Sequence, residues 1–248
     1  MYVLLYKMDA LLIMPCYNVE DTLLNTLLSV KNQTNTNFTL VCCDDKSTDS
    51  TLTLLHTYKI QYAFNFIILE NDVNMGTGNT VNRCINEINK DGRYPFLTWI
   101  SADNLLKPDF VECHISKLKE GYAITYSGFE IYTQQHGIID TIYPNTNLLH
   151  LKECYKLGPS FFFSRLLFAK IGRFHSLPGE DYLFAVECAL SNAKFGYINN
   201  VLVSYLKHDN SVSGRLEKGI ISHKNICTPE AIAKAQLICN SNGDDIYL

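Results

Sequence analysis

Three carboxylate-bearing stretches stand out by where they fall. In FLTWISADNLLKPDF, residues 96–110, an apolar run climbs to Ile100 and ends on Asp103 and Asn104. In VCCDDKSTDST, residues 41–51, another apolar run ends on Asp44 and Asp45. In GEDYLF, residues 179–184, Glu180 and Asp181 open an apolar helical pattern behind Pro178 and Gly179. Carboxylates so placed can hold a hard cation against a phosphate, accept a ligand N–H, or take a proton as a general base. Each has a plainer reading as well. Asp44 and Asp45 suit a turn and a cap, and Glu180 and Asp181 suit the first turn of a helix. Asp103 could cap a helix starting near Pro108, but it stands too early for one.

Elements of regular structure must bring these groups together. ALLIMPCY (10–17), FTLVCC (38–43), FNFIILE (64–70) and YPFLTWIS (94–101) read as buried strands. Between them lie helical patterns. Asn18 is expected to cap the first helix, with Glu20 and Asp21 in its acidic first turn and Leu23, Leu24, Leu27 and Leu28 inward. Ser47, Thr48 and Asp49 offer caps for the second, which carries Leu52, Leu54 and Leu55. Val81, Cys84, Ile85 and Ile88 mark the face of a third, after a turn at Gly76 and Gly78; a fourth covers 108–119.

Four strand–helix units in succession predict an α/β fold, with a mostly parallel sheet and helices on both faces. Ligands of such sheets bind outside the carboxyl ends of the strands. Those ends carry Pro15-Cys16-Tyr17-Asn18, Asp44-Asp45 and Asp103-Asn104.

After residue 121 the pattern changes. YAITYSGFEIYTQ and GIIDTIYP predict an antiparallel hairpin turning at QQHG. SFFFSRLLFAKIG reads as a strand entering a helix, GEDYLFAVECALSNA as a helix with Leu183, Phe184, Val186 and Leu190 inward, and GYINNVLVSYLKH as a last strand. Trp99 and at least one side of Phe161-Phe162-Phe163 belong in the core. The stretch after Gly214 is more polar, with one amphipathic helix expected near 229–239.

The 248 residues are 47% hydrophobic and 19% charged, enough for one sizeable core. A net charge of −4 and the lack of a basic block exclude an electrostatic case for nucleic acid. Nine cysteines fall at irregular spacing without a C-x-x-C pair, against a zinc site and in favour of a reducing, cytoplasmic compartment. The apolar start, MYVLLYKMDALLIMPCYN, lacks a basic lead and is split by Lys7 and Asp9, so no signal peptide is expected. No uninterrupted apolar run reaches bilayer length, so a lipid-linked acceptor would need peripheral association.

Six segments, in order, resemble the family 2 glycosyltransferases of the GT-A (Rossmann-like) fold. They are IMPCYNVEDTLLNTLLSVKNQT, VCCDDKSTDST, NMGTGNTVN, ISADN, GEDYLF and YLKHDNSVS, and together they cover roughly residues 10–213. The resemblance implies a nucleotide-binding half to about residue 104 and an acceptor half after it. It implies an inverting transfer of sugar from a UDP-sugar to an acceptor hydroxyl on a glycan, a lipid-linked molecule or a protein, aided by Mn²⁺ or Mg²⁺. Asp45 would accept the uracil imide N–H. Pro15, Tyr17, Asn18, Asn74, Gly76 and Ala102 would line the nucleotide site, and Asn82 would either shape that wall or pack its helix. Asp103 would hold the metal, with His208 reaching the metal or the diphosphate; Lys207 and Arg215 could also neutralise phosphate. Asp181 would be the base, and Gly158-Pro159-Ser160 part of the acceptor wall.

Two departures count against the resemblance. Lys46 replaces a common glycine, and Ala102 stands where another acid is usual, removing a ribose or metal contact. They keep a non-catalytic nucleotide-sugar binder as an alternative. A nucleotidyltransferase ranks lower, because PCYNVEDT has no glycine and is acidic where a triphosphate loop would stand. The tail could close over the site, make a homodimer contact, or stay disordered.

Overall fold

β1 (Ala10–Cys16) holds only apolar residues, and all but Pro15 are buried. Its side chains alternate between two cores: Leu11 and Ile13 enter one, Ala10, Leu12, Met14 and Cys16 the other. A strand apolar on both faces must sit in mid-sheet. β1 pairs in parallel with β2 (Phe38–Asp44) on one side and β4 (Phe96–Trp99) on the other. The computed structural model describes residues 9–61, 65–144, 157–176 and 179–208.

Among the described residues the sheet runs β3-β2-β1-β4-β8-β6-β9-β5, with β7 on the side of β6. β3 is Phe66–Glu70, β5 Leu105–Leu106, β6 Ile124–Thr133, β7 Gly137–Ile142, β8 Phe162–Ser164 and β9 Phe195–Leu206. The four strands from β3 to β4 are parallel; β8 enters antiparallel, and β6 and β9 run parallel to each other. The hairpin expected after residue 121 is β6–β7.

The helices divide between the two faces. α1 (Leu23–Lys31), α2 (Thr51–Gln61) and α4 (Phe110–Lys119) cover one, and α3 (Thr77–Ile88), α5 (Arg165–Ile171) and α6 (Glu180–Leu190) the other. Phe161 and Phe163 point into the α3–α5–α6 core and Phe162 into its counterpart, so the run is buried on both sides. Trp99 is a core residue at 8% exposure.

Several local expectations are corrected. Asn18 does not cap α1, which starts at Leu23 with Thr22 at the capping position. Asn18 takes a left-handed backbone, φ 51°, and its Oδ1 accepts the Thr48 N–H at 2.8 Å. Glu20 accepts the Ser50 N–H at 2.9 Å, while Asp49 accepts the Glu20 N–H at 3.1 Å. These reciprocal bonds to the loop after β2 satisfy groups that would otherwise cap their own helix. The buried stripe of α1 is Leu23, Thr26, Leu27 and Val30, which turns Leu24 outward. Leu190 lies on the face of Leu183 but is the last residue of α6, and it is exposed at the rim. Arg215 and the tail helix near 229–239 lie outside the described residues, as do Pro178, Cys154, Cys227 and Cys239.

His114 on α4 sits in the core at 0% exposure. Its Nδ1 lies 2.9 Å from Thr125 Oγ1, and its ring stacks on Phe162 at 5.2 Å. Burial holds its pKa down at about 3. The ring costs nothing by titration above the unfolded value of about 6.5; below it, only the unfolded chain takes up the proton. Stability is therefore expected to fall as pH drops from about 6.5 towards 3. Urea unfolding of wild type and His114→Phe at pH 7 and pH 5 checks this. The stability difference should move by about 2 kcal/mol in favour of the variant at the lower pH. A constant difference would mean that the ring is not buried in neutral form.

Candidate active site at the carboxyl edge of the sheet

Asp45 follows β2, and its amide donates to the Cys16 carbonyl at the end of β1. Its carboxylate is buried. Oδ1 accepts the Asn71 side-chain amide at 2.6 Å and the Met75 N–H at 2.8 Å; Oδ2 accepts the Gly76 N–H at 2.8 Å. Asp45 thus fastens the loop between β3 and α3. A carboxylate has about four acceptor positions, and described residues fill three of those on Asp45. Gly76 has φ 79°, a conformation that favours glycine.

Asn74 is exposed, and its Oδ1 lies 3.2 Å from the Gly76 amide. The buried asparagine of this loop is Asn71, which sequence reasoning missed. Its amide also donates to Thr80 at 2.9 Å, and Arg83 donates to its Oδ1. Nothing in NDVN separates the two asparagines without knowing which one turns inward. Tyr17 and Asn18 are exposed at the end of β1, and Pro15 is half-buried. Lys46 has φ 66°, which explains why glycine suits that position.

Asp103 lies past the end of β4. Its Oδ2 is 3.2 Å from His208 Nε2, whereas its Oδ1 is buried without a hydrogen-bond partner among the described residues. Side-chain bonds to described residues help hold this strand end. Thr22 donates its hydroxyl to the Ala102 carbonyl at 3.0 Å, and the Leu206 N–H donates to Asn104 Oδ1 at 3.2 Å. The second draws the end of β9 to the end of β4 and carries His208 to Asp103. The Ala102 side chain is a buried methyl, so this residue offers only its backbone. Tyr132 was also missed: burial, and then the neighbouring Asp103 charge, raise its phenol pKa. Among the described residues no group of three or more His, Cys, Asp or Glu gathers as a closed metal cage. An unpartnered carboxylate oxygen beside an imidazole still fits an oxygen- and nitrogen-ligated divalent cation that keeps other positions for phosphate and water.

Asp181 and Glu180 open α6 behind Gly179, which has φ 84°. Burial pushes the Asp181 carboxyl up to about 6, against the pull of the N–H groups at the helix start. Burial, and then the Asp181 charge, push Glu180 up to about 8. At neutral pH the pair therefore presents one ionised and one protonated carboxyl group. The first turn of α3 packs on α6: a Cβ on Gly78 would lie 3.5 Å from that of Glu180. α3 leaves the carboxyl end of β3, so Asp181 joins the edge where Asp45 and Asp103 lie. Asn82 is committed to packing, with its side-chain amide bonded to the Phe174 backbone. In the expected acceptor wall, Ser160 Oγ is buried without a partner.

A family model described as "Glycosyl transferase family 2" matches residues 11–169. A poly(ribitol-phosphate) beta-glucosyltransferase of Bacillus spizizenii is 27% identical over 74% of this chain and 30% of its own length. WfaP of Escherichia coli, a UDP-Glc:alpha-D-GlcNAc-diphosphoundecaprenol beta-1,3-glucosyltransferase, is 25% identical over 92% of this chain and 89% of its own. The chain spans 30%, 43% and 65% of the length of three other curated relatives, the first of them the Bacillus spizizenii enzyme. Among solved structures, S. aureus TarS 1-349 in complex with UDP-GlcNAc superposes with a TM-score of 0.74 at 19% identity, over 96% of this chain and 68% of TarS. A Pyrobaculum calidifontis mannosyltransferase with GDP-Man and Mn²⁺ gives 0.61 at 13%, over 94% and 74%. The fold is therefore GT-A.

Proposed function

The chain belongs to glycosyl transferase family 2, and from that premise we propose that it moves a sugar from a UDP-sugar to an acceptor hydroxyl with inversion. One observation carries the reading: Asp45, the Asp103–His208 pair and Asp181 share the carboxyl edge of one mostly parallel sheet. Two of the similar proteins favour a uridine donor. WfaP is named for UDP-Glc, and TarS was solved with UDP-GlcNAc and with UDP.

The proposed roles rest on the resemblance to the family and agree with the geometry. The Asp45 carboxylate accepts the uracil imide N–H. Asp103 and His208 would hold Mn²⁺ or Mg²⁺, which supplies positive charge against the leaving diphosphate. Asp181, ionised above a pKa of about 6, takes the proton of the acceptor hydroxyl. The acceptor oxygen bonds to the anomeric carbon as the bond to UDP breaks on the opposite face. Glu180, protonated to about pH 8, leaves the basic role to its neighbour. The nucleotide half extends to about residue 104 and the acceptor half to about 213. The acceptor is a hydroxyl on a glycan, a lipid-linked molecule or a protein; among the described residues no helix is long and apolar enough to cross a membrane.

A thermal-shift panel of UDP, GDP, CDP and ADP, each with and without Mn²⁺, tests the donor side. Binding to the folded state alone stabilises it by about 2.7 kcal/mol at a hundredfold excess over Kd. A shift confined to UDP and dependent on Mn²⁺ is expected. A larger shift with GDP would move the donor to another nucleotide, and no shift with any of the four would overturn the reading.

A further inference from the structure

We infer that Asn82, with Gly78 one turn before it, positions Asp181, by fixing Phe174 and His175 against α6. The inference rests on the proposed role of Asp181 as base.

Asn82 acts towards Phe174 as a strand neighbour would. Its Nδ2 donates to the Phe174 carbonyl at 2.7 Å, and its Oδ1 accepts the Phe174 N–H at 2.8 Å. Phe174 is anchored in turn, with its ring stacked on Phe184 of α6 at 4.3 Å. One residue on, the His175 carbonyl sits where a Gly78 side chain would begin, 2.0 Å from an added Cβ. His175 Nε2 lies 3.0 Å from Glu187 Oε1 on α6. Phe174 and His175 are therefore tied to α3 on one side and α6 on the other. α3 is itself fixed at its start, because Asp45 accepts the Met75 and Gly76 amides and Asn71 donates to Thr80. One helix thus runs from the residue that would read the nucleotide to residues packed against the helix that carries the base. Asn82 spends both side-chain atoms on backbone, so it is a positioning residue and touches no reacting group.

The test reads position without turnover. Among the described residues, the titratable groups on the elements around Asp181 are Glu180 on its own helix and the His175–Glu187 pair; on α3, Arg83 is turned to Glu87 and Asn71. Carboxyl ¹³C titration of Asp181 is followed in wild type, Asn82→Leu and Gly78→Ala, with UDP affinity measured in Mn²⁺. Released from its packing, Asp181 is expected to titrate about one unit or more lower in both variants, towards the ordinary value of about 3.9, while UDP affinity stays within about twofold. Faster amide exchange across 174–184 should accompany the change. Variants that fold with unchanged Asp181 titration and exchange would overturn the inference. Should neither variant fold, wild type decides: rapid exchange of the Phe174 amide refutes the clamp, and strong protection supports it. Full turnover in Asp181→Asn would remove the base assignment but leave these readouts standing, so the two failures are distinguishable.

Discussion

Asp181→Asn is expected to lower turnover of a UDP-sugar about 10³-fold while leaving UDP affinity within about twofold, since general-base catalysis contributes roughly 10²–10⁴. Asparagine keeps the shape and the bond from the Tyr182 N–H, 2.7 Å in the wild type, but cannot accept the acceptor proton. The pH dependence supplies a second signature. Burial raises the Asp181 pKa to about 6, so kcat/KM should climb as pH rises through about 6, the direction in which the base ionises. Glu180→Gln should change the rate much less near neutrality, because Glu180 is already protonated there. UDP release, measured across pH in wild type and both variants, checks the set. Unchanged turnover in Asp181→Asn would end its assignment as base and favour a nucleotide-sugar binder or another base.

Asp103→Ala is expected to remove the Mn²⁺-dependent stabilisation by UDP, a loss of about 2.7 kcal/mol at a hundredfold excess of UDP over its Kd. The same change should cost little without ligand. Among the described residues, Asp103 Oδ1 is buried with no hydrogen-bond partner, and its Oδ2 lies 3.2 Å from His208 Nε2. A residue kept for packing would behave in the opposite way, destabilising the free protein and leaving the ligand shift intact. Melting of both proteins with UDP, with and without Mn²⁺, separates these outcomes. A full shift in Asp103→Ala would take the cation away from this strand end.

The contrast between these acidic residues and their surroundings shows how far the chain could be read directly. Asp103 and Asp45 were visible because each ends an apolar run, and four strand–helix repeats put such run ends on one edge. Asn18 and Glu20 looked like capping residues because capping is decided within a few positions. Their actual partners, Thr48 and Ser50, lie 30 residues away in each case.

By itself the sequence determined the four parallel strands, the helical patterns between them, and the carboxylates that follow the apolar runs. Apolar strand interiors and helical apolar stripes leave little choice about burial, and crossovers have one hand. Only the tertiary structure decided which polar groups are spent on holding that edge in place. Asn71 turns inward where Asn74 does not, Asn82 grips Phe174, and Asn104 brings His208 to Asp103. The reason is physical: a buried donor or acceptor must find a partner wherever the fold puts one. That place is set by the packing of distant segments, which no local pattern records.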